Sequence, residues 1–285
     1  MSNYVRAFSE SSLRGPSPTI FGDLDRHRHN EQMGKCIFLF DDFGNPERLT
    51  ASDAAASSGK LYTFLNTGVI VGGPTGVKDV GDALGELSVS GNDADNDQGY
   101  IQFGSGNQFV IENNHTGNTG LIYFEARMKV ASIADNSCAF FLGLGQGLVA
   151  DNDLVDDTGA LAAGKGYIGI RRLNDDGDKT DIIFQAASQT LNSVITNAST
   201  LVANTYFKFG LRYDPWAVDT TKRIKFFLDG VEQSTYVTDT EIDAATFPEG
   251  EALQPMLLTK VGTAAESIVT LDWVAAIQYG DEQPF

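Results

Sequence analysis

The sequence predicts an all-β protein, either a sandwich or a barrel, in which a short arm precedes the strands. From about residue 36 onward, apolar and polar residues alternate in short runs, which is the period of strands that bury one face. Loops rich in Gly, Asp and Asn separate these runs, as they do in sandwiches and barrels. Helical patterning is meagre, since only residues 51–58 and 240–245 could form a turn or two. No repeat at a fixed period is present, which argues against a propeller or a solenoid.

Twelve segments have the composition or the alternation of strands. They are enriched in β-branched and aromatic residues, which suit a pleated, half-buried surface. In chain order they are residues 36–40, 61–65, 69–71, 100–103, 108–112, 121–130, 138–144, 167–172, 181–186, 206–213, 223–228 and 269–277.

The alternation also predicts which side chains point inward. In residues 121–130 the inward set is Ile122, Phe124, Ala126, Met128 and Val130, and the outward set is Tyr123, Glu125, Arg127 and Lys129. Residues 206–213 and 223–228 alternate in the same way, with Lys208, Arg212, Arg223 and Lys225 outward. In the last strand the shared face comprises Val269, Leu271, Trp273, Ala275 and Ile277, which predicts Trp273 as a core residue.

Turn residues support this strand order. Asp229-Gly230 separates two strand-like runs, and such a pair tolerates the positive φ angles of a type I′ turn. We therefore predict a hairpin there. Asp176-Gly177 is a second strong turn signal, and Gly91-Asn92 and Gly117-Asn118 are weaker ones.

Composition and charge exclude several classes of function. The chain has 285 residues, of which 42% are hydrophobic and 10% aromatic, so it can build a core and is not a disordered acidic chain. Its net charge of -18 argues against nucleic acid as a partner, because phosphate contacts need cations. No apolar run is long enough to span a membrane, and we expect no secretory signal at the start. Cys36 and Cys138 are expected to be buried thiols.

Residues 1–35 differ from the remainder and are predicted to form an extended arm. They carry five Lys or Arg and four Asp or Glu, for a net charge of +1, so residues 36–285 carry -19. Pro16 and Pro18 favour extended backbone. One interpretation is a frayed terminus. The other, which spaced apolar anchors and interleaved arginines favour, is an arm that binds a partner; its predicted contact residues are Tyr4, Arg6, Phe8, Arg14, Pro16, Pro18 and Phe21.

Two patterns could indicate a bound phosphate or metal ion. Residues 159–166 match the spacing of a phosphate-binding loop up to Lys165, but Gly166 stands where Ser or Thr is required and a strand follows instead of a helix. We interpret this segment as a flexible loop. Three acidic clusters could hold Ca²⁺, although solvated loops explain such clusters more often than ions do, and no cofactor is otherwise predicted. They are Asp93, Asp95 and Asp97, then Asp151, Asp153, Asp156 and Asp157, then Asp175, Asp176 and Asp178.

Catalytic residues are not evident. His27, His29 and His115 are too few and too scattered for a metal site or a triad. Glu125, with Tyr123 and Arg127 on the same face, could bind or cleave sugar, but a solvated outer face is the favoured interpretation. Of the aromatic residues that could stack on sugar, namely Trp216, Trp273, Tyr100 and Tyr213, Trp216 is the best candidate because it follows Pro215 in a predicted loop.

Three sequence segments within residues 36–285 resemble those of the concanavalin A-like lectin and glucanase jelly roll. They are Gly120-Leu-Ile-Tyr-Phe-Glu-Ala-Arg-Met-Lys-Val130, Phe140-Phe-Leu-Gly-Leu144 and Phe226-Phe-Leu-Asp-Gly230. The resemblance implies an antiparallel jelly-roll β-sandwich over residues 36–285. It does not fix function, because lectins, glycan hydrolases, lyases and virion proteins share this fold. The strand that would carry the hydrolase pattern supplies Glu125 alone, and the lyase pattern is lacking, so the sequence predicts that the chain is not an enzyme.

The whole chain also resembles structural proteins of tailed bacteriophages, on the basis of residues 4–18 followed by Phe40-Asp-Asp-Phe-Gly44. This resemblance implies a decoration or cement protein on the capsid exterior. Its expected partners are the major capsid protein and further copies of itself, so it would be a homo-oligomer. The strongly acidic body would suit a protein that must stay soluble at high copy number.

The sequence therefore leaves two functional hypotheses. The first is a non-enzymatic virion protein whose arm and sandwich edges bind the capsid shell. The alternative is a carbohydrate-binding domain, or a glycan-active enzyme, of a phage tail or a cell surface. In the alternative, Trp216 would stack on sugar.

Overall fold

A computed structural model describes residues 15–21, 36–43, 62–67, 86–90, 98–103, 109–113, 120–147, 161, 164–262 and 268–280. Within these ranges the chain forms two antiparallel sheets that pack face to face, as the sequence predicts. The predicted jelly-roll sandwich is confirmed. The described helices are short and lie outside the sheets: α1 (Pro18–Phe21), a 3₁₀ turn (Thr220–Lys222) and α2 (Asp239–Ile242).

The first sheet, sheet A, contains both the first and the last described strands. Its order is β1-β14-β5-β10-β11-β12, and β3 also pairs with β14. The bounds are β1 (Cys36–Asp41), β3 (Leu87–Ser90), β5 (Ile122–Val130), β10 (Phe207–Tyr213), β11 (Ile224–Leu228), β12 (Val231–Val237) and β14 (Ile268–Tyr279).

The second sheet, sheet B, has the order β2-β4-β13-β6-β7-β8-β9. Its bounds are β2 (Tyr62–Thr67), β4 (Gln98–Phe103), β6 (Cys138–Gln146), β7 (Tyr167–Arg172), β8 (Lys179–Gln185), β9 (Asn192–Thr200) and β13 (Leu253–Val261).

The main core lies between the sheets. The predicted inward set of β5 is fully buried there, and Phe209, Leu211 and Tyr213 of β10 join it. This part of the prediction is confirmed, because the two-residue period of each strand places these side chains on the face that meets the other sheet. Cys138 also lies in this core as a buried free thiol.

A β-bulge in β14 corrects the prediction for the last strand. Leu271 pairs with Met128 and Trp273 pairs with Arg127, so Asp272 is an extra residue in the ladder. Val269 and Leu271 therefore face the core, whereas Trp273, Ala275 and Ile277 lie on the outer face of sheet A. The prediction that Trp273 shares a face with Val269 and Leu271 was wrong, because one inserted residue reverses every later side chain, but Trp273 is buried as predicted.

Other strand predictions differ from the structure in identifiable ways. Of the predicted strand at residues 108–112, the described residues 109–112 form only an isolated bridge, in which Phe109 pairs with Leu253. The sequence missed β3, β9 and β13. Every residue of β13 is buried, so it shows no alternation, and it contains Pro255. The predictions for residues 51–58 and 69–71 lie outside the described residues.

The turns and the short helix follow the sequence closely. Asp229 and Gly230 have φ angles of 49° and 76°, which confirms the type I′ hairpin between β11 and β12. Helix α2 begins after Thr238, whose side chain forms a capping box with Glu241. No helix among the described residues has the length and apolarity needed to cross a membrane.

Candidate functional site

Part of the predicted arm lies on the outer face of sheet A. Residues 15–21, which we call the docking segment, contain a single helical turn in which the carbonyl of Ser17 accepts hydrogen bonds from the amides of Ile20 and Phe21, each at 3.0 Å. Pro18 begins this turn, a position where its missing amide hydrogen costs nothing. Ile20 and Phe21 are 0% and 4% exposed. The segment is therefore packed against the sandwich of its own chain.

Glycine residues of the sheet make room for this segment. A Cβ atom at Gly210 would overlap the Cδ1 atom of Ile20, and one at Gly230 would lie 2.7 Å from the Oγ atom of Ser17. The hydroxyl of Thr19 donates a hydrogen bond of 2.7 Å to the carbonyl of Gly230. The backbone of β10 and of the β11–β12 turn thus forms the floor of a fitted groove.

Ser17 joins two buried charges at the centre of this groove. Its amide and its hydroxyl donate to the two carboxylate oxygens of Glu125, at 2.7 Å and 2.6 Å. Lys208 donates to the same hydroxyl at 2.6 Å, and its Nζ atom lies 3.9 Å from Oε1 of Glu125. Glu125 and Lys208 are 0% and 2% exposed.

Burial governs the ionisation of both groups. Loss of solvation raises the pKa of the Glu125 carboxyl, against the opposing effect of its bonds from Ser17, and it lowers the pKa of the Lys208 ammonium. The expectation that Glu125 lies on a solvated face was wrong. Its strand does point it outward, but the docking segment covers it.

Apolar side chains surround this polar centre. We call them the outer cluster: Ile20, Phe21, Leu121, Tyr123, Phe227, Trp273, Ala275, Ile277 and Tyr279, with Phe40 and Trp216 partly buried against it. Phe21 stacks on Tyr123 with ring centroids 6.0 Å apart. Both tryptophans of the chain therefore belong to the surface on which the docking segment packs.

A rigid turn positions Trp216 at the margin of the outer cluster. The Oδ1 atom of Asp214 accepts a hydrogen bond of 3.0 Å from the amide of Trp216. The nearly buried guanidinium of Arg223 donates to the carbonyls of Pro215 and Ala217 and forms an ion pair of 2.6 Å with Asp239. The backbone on both sides of Trp216 is thus preorganised by hydrogen bonds from and to the chain's own side chains.

A pair of charges lies next to this turn. Arg212 and Asp214 have side chains 23% and 27% exposed, and Nη2 of Arg212 is 3.8 Å from Oδ2 of Asp214. The guanidinium of Arg212 also lies over the ring of Tyr123, 5.3 Å from its centroid. Asp214 thus links this pair of charges to the backbone of Trp216.

The other aromatic candidates are closed to solvent. Tyr213 lies in the core, where its hydroxyl donates to the carbonyl of Glu112. Trp273 is 4% exposed beside the docking segment. Tyr100 is 2% exposed on the outer face of sheet B, in a buried cluster with Phe141, Tyr167 and others. Of the four, Trp216 alone is only partly buried.

The remaining predicted site residues have mixed outcomes. Pro16 is buried and Pro18 exposed within the docking segment, whereas Tyr4, Arg6, Phe8 and Arg14 lie outside the described residues. The strand β7 follows Gly166, as the loop interpretation requires. Ser17 and Lys208 were not predicted as site residues, although the predicted contact residues Pro16 and Pro18 flank Ser17.

The calcium prediction concerns three acidic clusters. In the described part of the chain no three His, Cys, Asp or Glu side chains are placed to share a metal ion. Two of the clusters, at residues 93–97 and 151–157, fall outside that part. In the third cluster, burial and the charges of Asp181 and Asp175 raise the pKa of Asp176. A calcium site therefore stays a prediction.

Comparisons with known proteins identify the fold. No family model and no curated protein matches the chain. Among solved structures, a protein of unknown function from Shewanella oneidensis MR-1 aligns with a TM-score of 0.55 at 12% identity, over 92% of this chain and 98% of that one. Peanut lectin in complex with a nine-residue peptide aligns with a TM-score of 0.54 at 13% identity, over 87% and 100%. At such identities the likeness establishes the concanavalin A-like sandwich and nothing finer.

The same comparisons correct the prediction that the chain is not an enzyme. A structure from a study of endo-acting O-glycanases of the human gut microbiota, which initiate mucin breakdown, aligns with a TM-score of 0.52 at 11% identity, over 85% of this chain and 98% of that one. An enzyme had been excluded because the strand that would carry the hydrolase pattern supplies Glu125 alone and because the lyase pattern is lacking. That exclusion is contradicted, because the structures that share this sandwich include glycan-cleaving enzymes.

Proposed function

We propose that this protein binds glycans at a platform formed by Trp216 and the adjacent pair Arg212 and Asp214. The observation that carries the proposal is the state of Trp216. Its backbone is held from both sides by Asp214 and Arg223, while its indole remains partly exposed. A ligand that binds there meets a preorganised surface and loses little free energy to ordering it.

The chemistry of the platform suits a sugar. An indole ring offers a flat apolar face to the C–H groups of a pyranose, and its quadrupole attracts their weakly positive hydrogens. Arg212 supplies hydrogen-bond donors and Asp214 supplies acceptors for hydroxyl groups. Few, well-placed polar groups beside an aromatic surface are typical of small-molecule sites. The lectin and O-glycanase among the structural neighbours support a glycan as the class of ligand.

Glycan binding is tested with the full chain on a glycan array, followed by titration calorimetry with the best ligand. We expect Trp216→Ala to weaken binding by about tenfold or more, which corresponds to the ~1.4 kcal/mol of one aromatic contact. Trp216→Phe should retain part of the affinity. The matched control is Trp273→Phe, which alters the other tryptophan at a position closed to solvent.

Two outcomes would contradict the proposal: no glycan retained by the wild-type chain, or equal binding by the wild type and Trp216→Ala. Incubation of the bound glycan with the protein, followed by product analysis, shows whether binding leads to cleavage. Loss of ligand with the appearance of shorter products would extend the proposal from binding to hydrolysis.

Capsid decoration is a second candidate, and one observation favours it. The predicted arm does contain a segment that docks on a sandwich of this type. The capsid partner, the self-association and the virion location stay proposals, and the comparisons support glycan binding better. Co-sedimentation of the full chain with purified capsids, beside a variant with an undocked segment, tests this candidate. Equal recovery of both proteins in the supernatant would end it.

A further inference from the structure

The groove on sheet A and the segment that fills it point to an interaction between copies of this chain. We propose that two copies exchange their docking segments, so that residues 15–21 of each lie in the Gly210 groove of the other. This inference concerns self-association and does not depend on glycan binding. It makes the groove a receptor site whose occupant is a second copy of the same chain.

The described contacts of the segment join it to the sandwich. They include the bonds of Ser17 to Glu125 and Lys208, the bond of Thr19 to Gly230, and the burial of Ile20 and Phe21. None of these depends on which copy supplies the segment. A segment from a neighbour would therefore make the same interactions in the same geometry.

The chain between the segment and the sandwich is long enough for exchange. Fourteen residues separate Phe21 from Cys36. The segment lies over β5 and β10, the third and fourth strands counted from β1, which places it only about 10–14 Å across the sheet from β1. Fourteen residues can span about 45–50 Å. The connection thus has several times the length needed to return to its own sandwich.

The groove also needs an occupant. Without the segment, Glu125 and Lys208 would lose their shared partner Ser17, and Tyr123 and Trp273 would lose the cover of Phe21 and Ile20. An empty groove exposes an apolar patch around a charge pair, which is the character of a binding surface. A copy whose own segment is displaced will accept one from a neighbour.

Protein concentration decides whether a segment lies in the groove of its own chain or in that of a second copy. A tether of fourteen residues gives the chain's own segment an effective concentration in the millimolar range. Exchange therefore becomes extensive at protein concentrations that approach this range, or where copies are crowded on a surface. The net charge of -18 opposes close approach of two copies. Salt screens this repulsion, so exchange should increase with ionic strength.

Two complementary full-length variants test the exchange. Ile20→Asp has a segment that cannot enter an apolar groove, and its own groove is intact. Gly210→Val has an intact segment and a blocked groove, because its side chain occupies the space of the Ile20 methyl group. If Gly210→Val fails to fold, Lys208→Glu blocks the groove instead by placing a second carboxylate against Glu125.

Light scattering after size exclusion, together with native mass spectrometry, gives the result. We expect each variant alone to remain monomeric, and the equimolar mixture to form a one-to-one heterodimer. Because the groove of Ile20→Asp has no competing segment of its own, and the segment of Gly210→Val has no open groove of its own, the heterodimer should form at least tenfold below the concentration at which the wild type dimerises. A mixture that stays monomeric up to about 1 mM, or either variant dimerising alone, would overturn the proposal. So would a wild type that stays monomeric at that concentration.

Discussion

Substitution of Ile20 by Ala should release the docking segment without unfolding the sandwich. Ile20 is fully buried, and Ile→Ala at such positions costs about 2–5 kcal/mol. The segment is held by this residue, by Phe21 and by a few hydrogen bonds, so a loss of that size is comparable with its whole docking free energy. The core between the sheets contains no residue of the segment and should keep its stability.

Tryptophan fluorescence measures this release directly, because both tryptophans of the chain lie in the outer cluster. When the segment leaves, Trp273 loses part of its cover, and its emission should shift to longer wavelength and become accessible to acrylamide. Urea unfolding followed by circular dichroism should still show a cooperative transition, with a midpoint lowered by no more than the docking free energy that the native state has lost, since the sheets remain intact.

The matched control is Ile182→Ala. Ile182 is as buried as Ile20, but it lies in the core between the sheets. It should lower the free energy of unfolding by the same ~2–5 kcal/mol while the native tryptophan spectrum stays unchanged. If Ile20→Ala instead shows the control's behaviour, with a lower unfolding midpoint and an unchanged native spectrum, the segment is an integral part of the sandwich and the reasoning is refuted.

Three further predictions use the same assays. The raised pKa of Glu125 means that its carboxyl binds the proton more tightly in the docked state than in the undocked state, so docking should weaken as pH rises from about 4.5 through the raised pKa. The resulting shift of tryptophan emission should disappear in Glu125→Gln. Persistence of the shift in that variant would refute the assignment to Glu125. Arg172→Met should lower the free energy of unfolding by about 3–5 kcal/mol, because the buried guanidinium donates to the carbonyls of Ala134, Cys138 and Gly177. A urea midpoint near that of the wild type would contradict this prediction. Thr238→Ala should cost about 1 kcal/mol through loss of the capping box of α2, whereas Thr238→Ser should cost little; equal midpoints for all three proteins would argue against the cap.

Local patterns in the sequence were sufficient for much of the sandwich. The alternation in β5 reports its two faces, because a strand with one face toward the core must alternate. The Asp229-Gly230 pair predicts its hairpin, because few other residues adopt two successive positive φ angles. Strand β13 was missed for the converse reason. It is buried on both faces, so its sequence has no two-residue period.

The candidate site depends far less on local pattern. Trp216 was identified from its place after Pro215 in a loop, and the structure adds the hydrogen bonds that hold this loop. The alternation correctly placed Glu125 and Lys208 on the outer face of sheet A, but it could not predict their burial. Their cover comes from Ser17, which is 108 residues from Glu125 along the chain.

The sequence by itself determined the fold class, most strands and their inward faces, because these follow from a period of two residues and from turn chemistry. Tertiary structure alone decided three things: the outward turn of Trp273, the burial of the Glu125–Lys208 pair, and the closure to solvent of the aromatic candidates other than Trp216. Each depends on a contact between distant parts of the chain. A bulge at Asp272 is defined only by its partner strand, and a buried charge only by the segment that covers it.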